Sequence, residues 1–159
     1  MQIGICVLLL LVANGAPVLA NDILERRWAC AVDGGRCFFD GRPWLGPSKT
    51  WRGIVTAVVA TALAAWIVGL GWAVGAALGG LAMVGDLAAS FVKRRLAIAV
   101  SGRAWLLDQL PEAAVPLFLL RPSLGLSLTE VVVAVGVFTL LDILLSPLLY
   151  RLRLRQRPY

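Results

Sequence analysis

The sequence contains no histidine. That removes the commonest general base near neutral pH and the commonest zinc ligand. Cysteine is scarce, and Cys6, Cys30 and Cys37 lack the spacing of a zinc site. Charge is scarce as well: 15% of residues are charged, against about 25% in a soluble domain. Acidic groups are the rarer sign, 9 against 15 basic. Any catalysis by this chain therefore falls to carboxylates, Lys, Arg, hydroxyls or a metal held by oxygen.

What fills the chain is apolar. Sixty per cent of residues are hydrophobic and the mean hydropathy is +0.85. Stretches of about 20 apolar residues span a bilayer core, and several occur here. The 159 residues read as one integral membrane domain, an all-α membrane protein with five transmembrane helices. The helices are expected at about 1–20, 54–70, 72–92, 104–120 and 128–150. Gly69-Leu70-Gly71 marks the turn that divides the long apolar run after Gly53. Val18-Leu19-Ala20 resembles a signal-peptide cleavage site, but no positive segment precedes it, so the first helix is expected to be retained.

The basic residues fix an expected topology. Arg26, Arg27, Arg36, Arg42, Lys49 and Arg52 fall in a connection at 21–53. Lys93, Arg94, Arg95 and Arg103 fall in a second at 93–103, and Arg151, Arg153, Arg155 and Arg157 in the tail at 151–159. Only Arg121 lies elsewhere. Five spans put these three segments on one side, and the positive-inside rule makes that side the cytoplasm of the inner (plasma) membrane, with the N-terminus outside. Cysteines 30 and 37 are then expected to stay reduced. Trp51, Trp72 and Trp105 fall near expected interfaces, and Gly75 and Gly79 make a small-xxx-small packing pair.

Polar groups inside spans are costly and mark candidate sites. Asp86, Ser90, Lys93 and Arg94 recur at helical spacing and share one face. Asp86 sits about 10 Å deeper than Lys93 at 1.5 Å per residue. An internal Asp–Arg pair with positives reaching for the interface would explain the same residues without chemistry. Asp108 begins the fourth helix at a similar depth, where it would also suit the helix dipole. Together Asp86 and Asp108 offer oxygen ligands for Mg²⁺, which prefers carboxylates plus substrate phosphates. Asn14 lies within the first helix, and Asp142 within the fifth, where an Arg partner is the plain expectation. Ser48-Lys49-Thr50-Trp51-Arg52-Gly53 leads into the second helix. Lys, Arg, hydroxyls and a helix N-terminus make an anion site, although the Walker spacing is absent. Asp40 serves either as a further metal ligand or as a turn residue. Cations at the membrane surface over anions just below it suit a nucleoside triphosphate with Mg²⁺ meeting a lipid phosphate.

Four ordered blocks carry a resemblance: Asn14-Gly15-Ala16-Pro17-Val18; Asp40-Gly41-Arg42 through Gly46-Pro47-Ser48-Lys49-Thr50-Trp51-Arg52-Gly53; Gly85-Asp86 through Ser90-Phe91-Val92-Lys93-Arg94-Arg95; and Asp108-Gln109. The chain resembles the CDP-archaeol synthases, which are related to CDP-diacylglycerol synthases. It departs from the archaeal pattern at Leu110-Pro111-Glu112, and the Pro-Gly-His-Gly-Gly run of the wider group is missing. The resemblance implies a Mg²⁺-dependent cytidylyltransferase. CTP and a lipid phosphate of the ether-lipid kind would give a CDP-lipid and pyrophosphate, on five membrane helices with cytoplasmic loops around the site. Asp86 and Asp108 are then the expected metal ligands, and Lys49, Lys93 and Arg94 the catalytic cations. Ser48, Thr50, Arg52, Asn14 and Asp40 are the expected nucleotide- or phosphate-binding residues. A small transporter and a non-catalytic assembly protein stand as the alternatives.

Overall fold

The structure is a computed structural model, and it describes residues 2–24, 27–99 and 106–151. Arg26, Arg103, Trp105, Arg153, Arg155 and Arg157, expected at the membrane interfaces and in the basic segments, lie outside the described residues. Five helices follow in chain order: α1 (Gln2–Leu24), α2 (Trp51–Ile67), α3 (Trp72–Arg95), α4 (Gln109–Leu119) and α5 (Leu128–Arg151). Among the described residues β structure is limited to two isolated bridges, Ala31 with Thr50 and Cys37 with Pro43, both in the connection after α1.

Three of the helices are long and apolar enough to cross a membrane: α1, α3 and the Leu128–Leu145 part of α5. The other two are shorter. α2 has 17 residues, about 26 Å of rise, and α4 has 11, about 16 Å. The expected span at 104–120 is thus a half-length helix. Its start is delayed by a turn at Leu106–Asp108, where Leu106 takes φ 63°, and Pro111 is tolerated because it stands in the first helical turn. α3 runs past its expected end to Arg95, so Lys93 and Arg94 are helical rather than part of the following loop. Cations in a last turn favour the C-terminal end of the helix dipole.

Local chemistry sets the helix ends. Thr50 is extended (φ −122°, ψ 148°) and its hydroxyl accepts from Gly53 N, which caps α2. Ser127 and Glu130 form a reciprocal box at the start of α5. Glu130 accepts from Ser127 N at 2.8 Å and Ser127 Oγ accepts from Glu130 N at 3.2 Å. The α2–α3 turn forms where the glycine pair predicted it, with Gly69 at φ 81° and Gly71 at φ 85°.

Packing centres on α3. A methyl group at Gly75 would lie 2.4 Å from Ala65 Cβ and 2.5 Å from Thr61 O on α2, so the two helices meet backbone to backbone. At Gly85 it would lie 2.2 Å from Pro111 O on α4. Leu9, Leu10, Leu78, Leu117 and Phe138 fill the interior and are fully buried. The outer faces are apolar too: Val55, Val59, Leu63 and Trp66 recur along α2 and each is more than half exposed. A soluble monomer rarely shows so continuous an apolar face; lipid contact accounts for it.

Candidate functional site

The polar groups gather at one end of the bundle. The connection after α1 folds back onto the C-terminal end of α3 there. Its anchor is Arg95, whose guanidinium donates to Asp40 Oδ1 and to Pro43 O, both at 2.6 Å. The same group lies 4.6 Å above the Phe38 ring and 5.1 Å from the Phe91 ring. Arg42 returns the contact by donating to Arg95 O at 2.7 Å. Asp40 is therefore engaged in holding the loop to α3. Replacing Arg95 with methionine is expected to speed amide exchange at Phe38 and Trp44 by at least about tenfold, the equivalent of one charge-assisted hydrogen bond. Lysine, without the planar fork, should restore little of it. Unchanged exchange in the methionine variant would show that the loop is held by other contacts.

Asp33 organises the loop from within. Its Oδ2 accepts from Gly46 N at 2.8 Å and Leu45 N at 3.0 Å, and its Oδ1 from Gly35 N at 3.0 Å. Burial opposes its charge, but these N–H donors hold the carboxyl below the usual Asp range. The support is full above the ordinary Asp value of about 3.9 and drains away as pH falls through the lower folded value. Backbone amide shifts of Gly35, Leu45 and Gly46 should therefore move together in acid, and Asp33→Asn should abolish that titration. A titration that survives in the variant would assign it to another group.

Folded this way, the loop delivers Lys49 to α3. Lys49 Nζ donates to both oxygens of Asp86, each at 2.6 Å. This pair, and not the internal Asp–Arg pair considered from the sequence, is Asp86's partnership. Both side chains stay partly exposed, 23% and 22%, so a ligand can reach them. About two turns further along α3, Lys93 pairs with Asp108 Oδ1 at 2.5 Å. Ser90, Lys93 and Arg94 are all buried on this inward face. Arg94 donates to Ala99 O at 3.0 Å and lies within electrostatic reach of Asp108. Beside it a cleft of about 220 Å³ opens between Arg42, Pro43, Arg94 and the Ala97–Ala99 turn.

The remaining candidates take other positions. Thr50 uses its hydroxyl to cap α2, and Ser48 is exposed beside Lys49. Arg52 is buried and points back to α1, donating to Arg27 O and to the Asn21 side chain. Asp142 accepts from Gln109 at 3.2 Å rather than from an arginine. Asn14 lies near Glu112, which is within electrostatic reach of Asp86, Lys49 and Asp142. In the sequence Glu112 stood out only as part of the Leu110-Pro111-Glu112 departure from the archaeal pattern. The signal that would have found it is the spacing: Asp108 and Glu112 are four residues apart and face the same way on a helix.

These donors suit a hard cation. Among the described residues no three acidic or cysteine side chains are close enough to cage a metal. Mg²⁺ does not need a cage: it keeps waters and binds through one or two carboxylates plus substrate phosphates. Two carboxylates, each beside a lysine, fit a cation that arrives with a polyphosphate. The larger cavity, about 440 Å³, is apolar; it lies between α4 and α5, from Leu110 to Phe118 and Leu128 to Gly136.

The chain is similar to several known proteins. A family model described as CarS-like, CDP-archaeol synthase, matches residues 67–159. A CDP-archaeol synthase of Hyperthermus butylicus is 35% identical over 137 residues, covering 78% of this chain and 79% of that protein. One of Sulfurisphaera tokodaii is 34% identical over 157 residues, covering 94% and 90%. A solved structure described as giving structural insight into an intramembrane enzyme for archaeal membrane lipids biosynthesis superposes with a TM-score of 0.69 at 32% identity. It covers 88% of this chain and 89% of its own.

Proposed function

The chain belongs to the CDP-archaeol synthase family, and from that premise we propose how its residues carry out the family's reaction. It is a multi-pass membrane cytidylyltransferase that makes a CDP-lipid from a nucleotide and a lipid phosphate. In our reading the nucleotide is CTP, the acceptor an ether-lipid phosphate, and the second product pyrophosphate. All five helices lie within the bilayer of the plasma membrane, α2 and α4 in part of its depth, with the charged end facing the cytoplasm.

The observation that carries the reading is the placement of two lysine–carboxylate pairs, Lys49–Asp86 and Lys93–Asp108, at one end of an apolar bundle. A transporter would need its charges strung along a path through the bundle. An assembly protein would have no need of partly exposed ion pairs at headgroup depth.

The reaction asks little covalent chemistry of the protein. A lipid phosphate oxygen attacks the α-phosphorus of CTP, and the bond from that phosphorus to the pyrophosphate oxygen breaks. The nucleophile is already an anion, so the missing histidine costs nothing. Lys49 and Lys93 swing from their carboxylates onto phosphate oxygens and stabilise the charge that builds on the leaving pyrophosphate. Arg94 and the cleft beside Arg42 hold the phosphate chain. Asp86 and Asp108 would hold Mg²⁺, which supplies charge neutralisation and alignment of the phosphates when bound. Asn14, Ser48 and Thr50 surround the nucleotide, and Arg52 fixes the start of α2. The apolar groove beginning at Leu110, next to Gln109, suits the lipid tail.

Purified protein given CTP labelled at either the α- or the γ-phosphate, Mg²⁺ and a panel of lipid phosphates tests this. The α-label should enter the lipid and the γ-label should leave as pyrophosphate. A γ-label in the lipid, or no label there with any acceptor, would contradict the reading. The ranking within the panel identifies the chains.

A further inference from the structure

The apolar outer surface of the bundle does not stop where its helices do. Along α3 and its C-terminal cap, Val84, Ala88, Val92 and Leu96 recur at every fourth position, and all are exposed. They form a lipid-facing stripe like that of α2. Phe91 borders it, one position before Val92. From Phe91 the apolar surface passes to the loop after α1. The Phe91 ring lies 5.6 Å from Phe38 and 5.8 Å from Trp44, centroid to centroid. Phe38 in turn lies 5.2 Å from Trp44 and 5.0 Å from Phe39, edge to face. Four rings thus make one aromatic surface that runs from the helix to the loop tip.

Phe39 stands at the end of that surface and is 99% exposed. Its exposure does not come from slack chain. Phe39 and Asp40 are the middle of a tight turn, closed by Gly41 N donating to Phe38 O at 3.0 Å and by Phe38 N donating to Arg42 O at 2.8 Å. Gly41 takes φ 74°, which glycine adopts without strain. Trp44 N donates to Arg36 O at 3.1 Å and continues the pairing. The turn therefore holds a whole phenyl ring away from the protein, where water would have to cover it at a cost.

The surrounding charges suit a lipid surface. Asp40, the acid at the tip, is paired with Arg95. Arg36 and Arg42 flank the tip and are exposed. Aromatic rings bordered by arginines have the composition of a segment at the membrane interface, where cations meet lipid phosphates.

We infer that the Phe38–Phe39 turn is a membrane anchor. It docks on the headgroup–acyl boundary of the bilayer around the bundle, with Phe39 inserted and Arg36 and Arg42 among the lipid phosphates. The loop is then held twice, by Arg95 on α3 and by the lipid. The segment that leads on to Lys49 stays in the plane where a lipid phosphate lies. The inference requires that the bundle span a bilayer and is independent of the role given to Asp86.

The test is a depth measurement on the full chain in vesicles of phosphatidylcholine with a minority of phosphatidylglycerol. Phe39→Cys, combined with Cys30→Ser and Cys37→Ser, takes an apolar nitroxide at the tip, while the remaining Cys6 is buried. Circular dichroism checks folding. Collisions with oxygen, which concentrates in lipid, are compared with collisions with a nickel chelate, which stays in water. The nitroxide should lie about 5–10 Å into the headgroup–acyl boundary. A nitroxide that meets chiefly the nickel chelate overturns the inference. So does dipolar broadening that grows with the ratio of protein to lipid, which would put a second copy on the tip. Trp44 provides a measurement that leaves the tip unaltered. The share of tryptophan emission that disappears in Trp44→Phe should be quenched at least about twofold more by a lipid with its doxyl group near the head than by one with it near the chain end. Without that preference for the shallow quencher the inference fails as well.

Discussion

Asp86→Asn is expected to lower CDP-lipid formation by about 10²–10³-fold or more, the scale on which a single preorganised electrostatic contact acts in a transition state. The substitution is nearly isosteric. It leaves the helix, the Gly85 contact and the apolar faces untouched, so the protein should still insert into membranes and remain folded. What it removes is the charge that Lys49 binds with two hydrogen bonds of 2.6 Å and that a cation needs. Product formation, read as label passing from CTP to lipid, should collapse while expression and thermal stability stay close to those of the parent. Full activity in this variant would remove Asp86 from the chemistry.

The second large effect is structural. Gly85→Ala adds one methyl group whose nearest neighbours are Pro111 O at 2.2 Å, Pro111 C at 2.5 Å and Glu112 N at 2.8 Å. All three are backbone atoms and cannot rotate aside, so α4 must move as a whole. Overpacking of this kind costs about 1–3 kcal/mol or more, and here the upper part of that range is expected. The same displacement carries Asp108 and Glu112 away from α3, so activity should fall even in molecules that remain folded. Thermal unfolding in detergent checks the first effect and turnover the second. Gly4→Ala is the control, since nothing lies within 4 Å of an added methyl there; its melting temperature should match the parent's or exceed it slightly. Equal melting temperatures for both variants would show that α3 and α4 are not in such close contact.

The parts of this arrangement that depend on local pattern were legible in the sequence. The glycine turn between α2 and α3 and the inward face shared by Asp86, Ser90, Lys93 and Arg94 follow from propensity and period. So does the small-residue face around Gly75. Residue partnerships across the fold were not legible. Lys49 and Asp86 are 37 positions apart, and nothing in spacing alone says that a flexible loop lysine, rather than an arginine, will meet a helical aspartate. Asp40 read equally as a turn residue or a ligand because its partner, Arg95, is 55 positions away. Asp33 passed unnoticed because three backbone N–H groups satisfy it, and backbone donors leave no mark in a sequence. The half-length α4 was overestimated because its apolar composition continues through a turn that only backbone geometry reveals.

The central proposal is that Asp86 and Asp108 would hold Mg²⁺ beside the nucleotide phosphates, within reach of Lys49 and Lys93. CTP-dependent Mn²⁺ binding by the purified protein measures this most directly. The account predicts that CTP tightens Mn²⁺ binding in the unaltered chain and that Asp86→Asn and Asp108→Asn each abolish the tightening. Tightening that survives in both variants would place the metal and the nucleotide somewhere other than between these carboxylates.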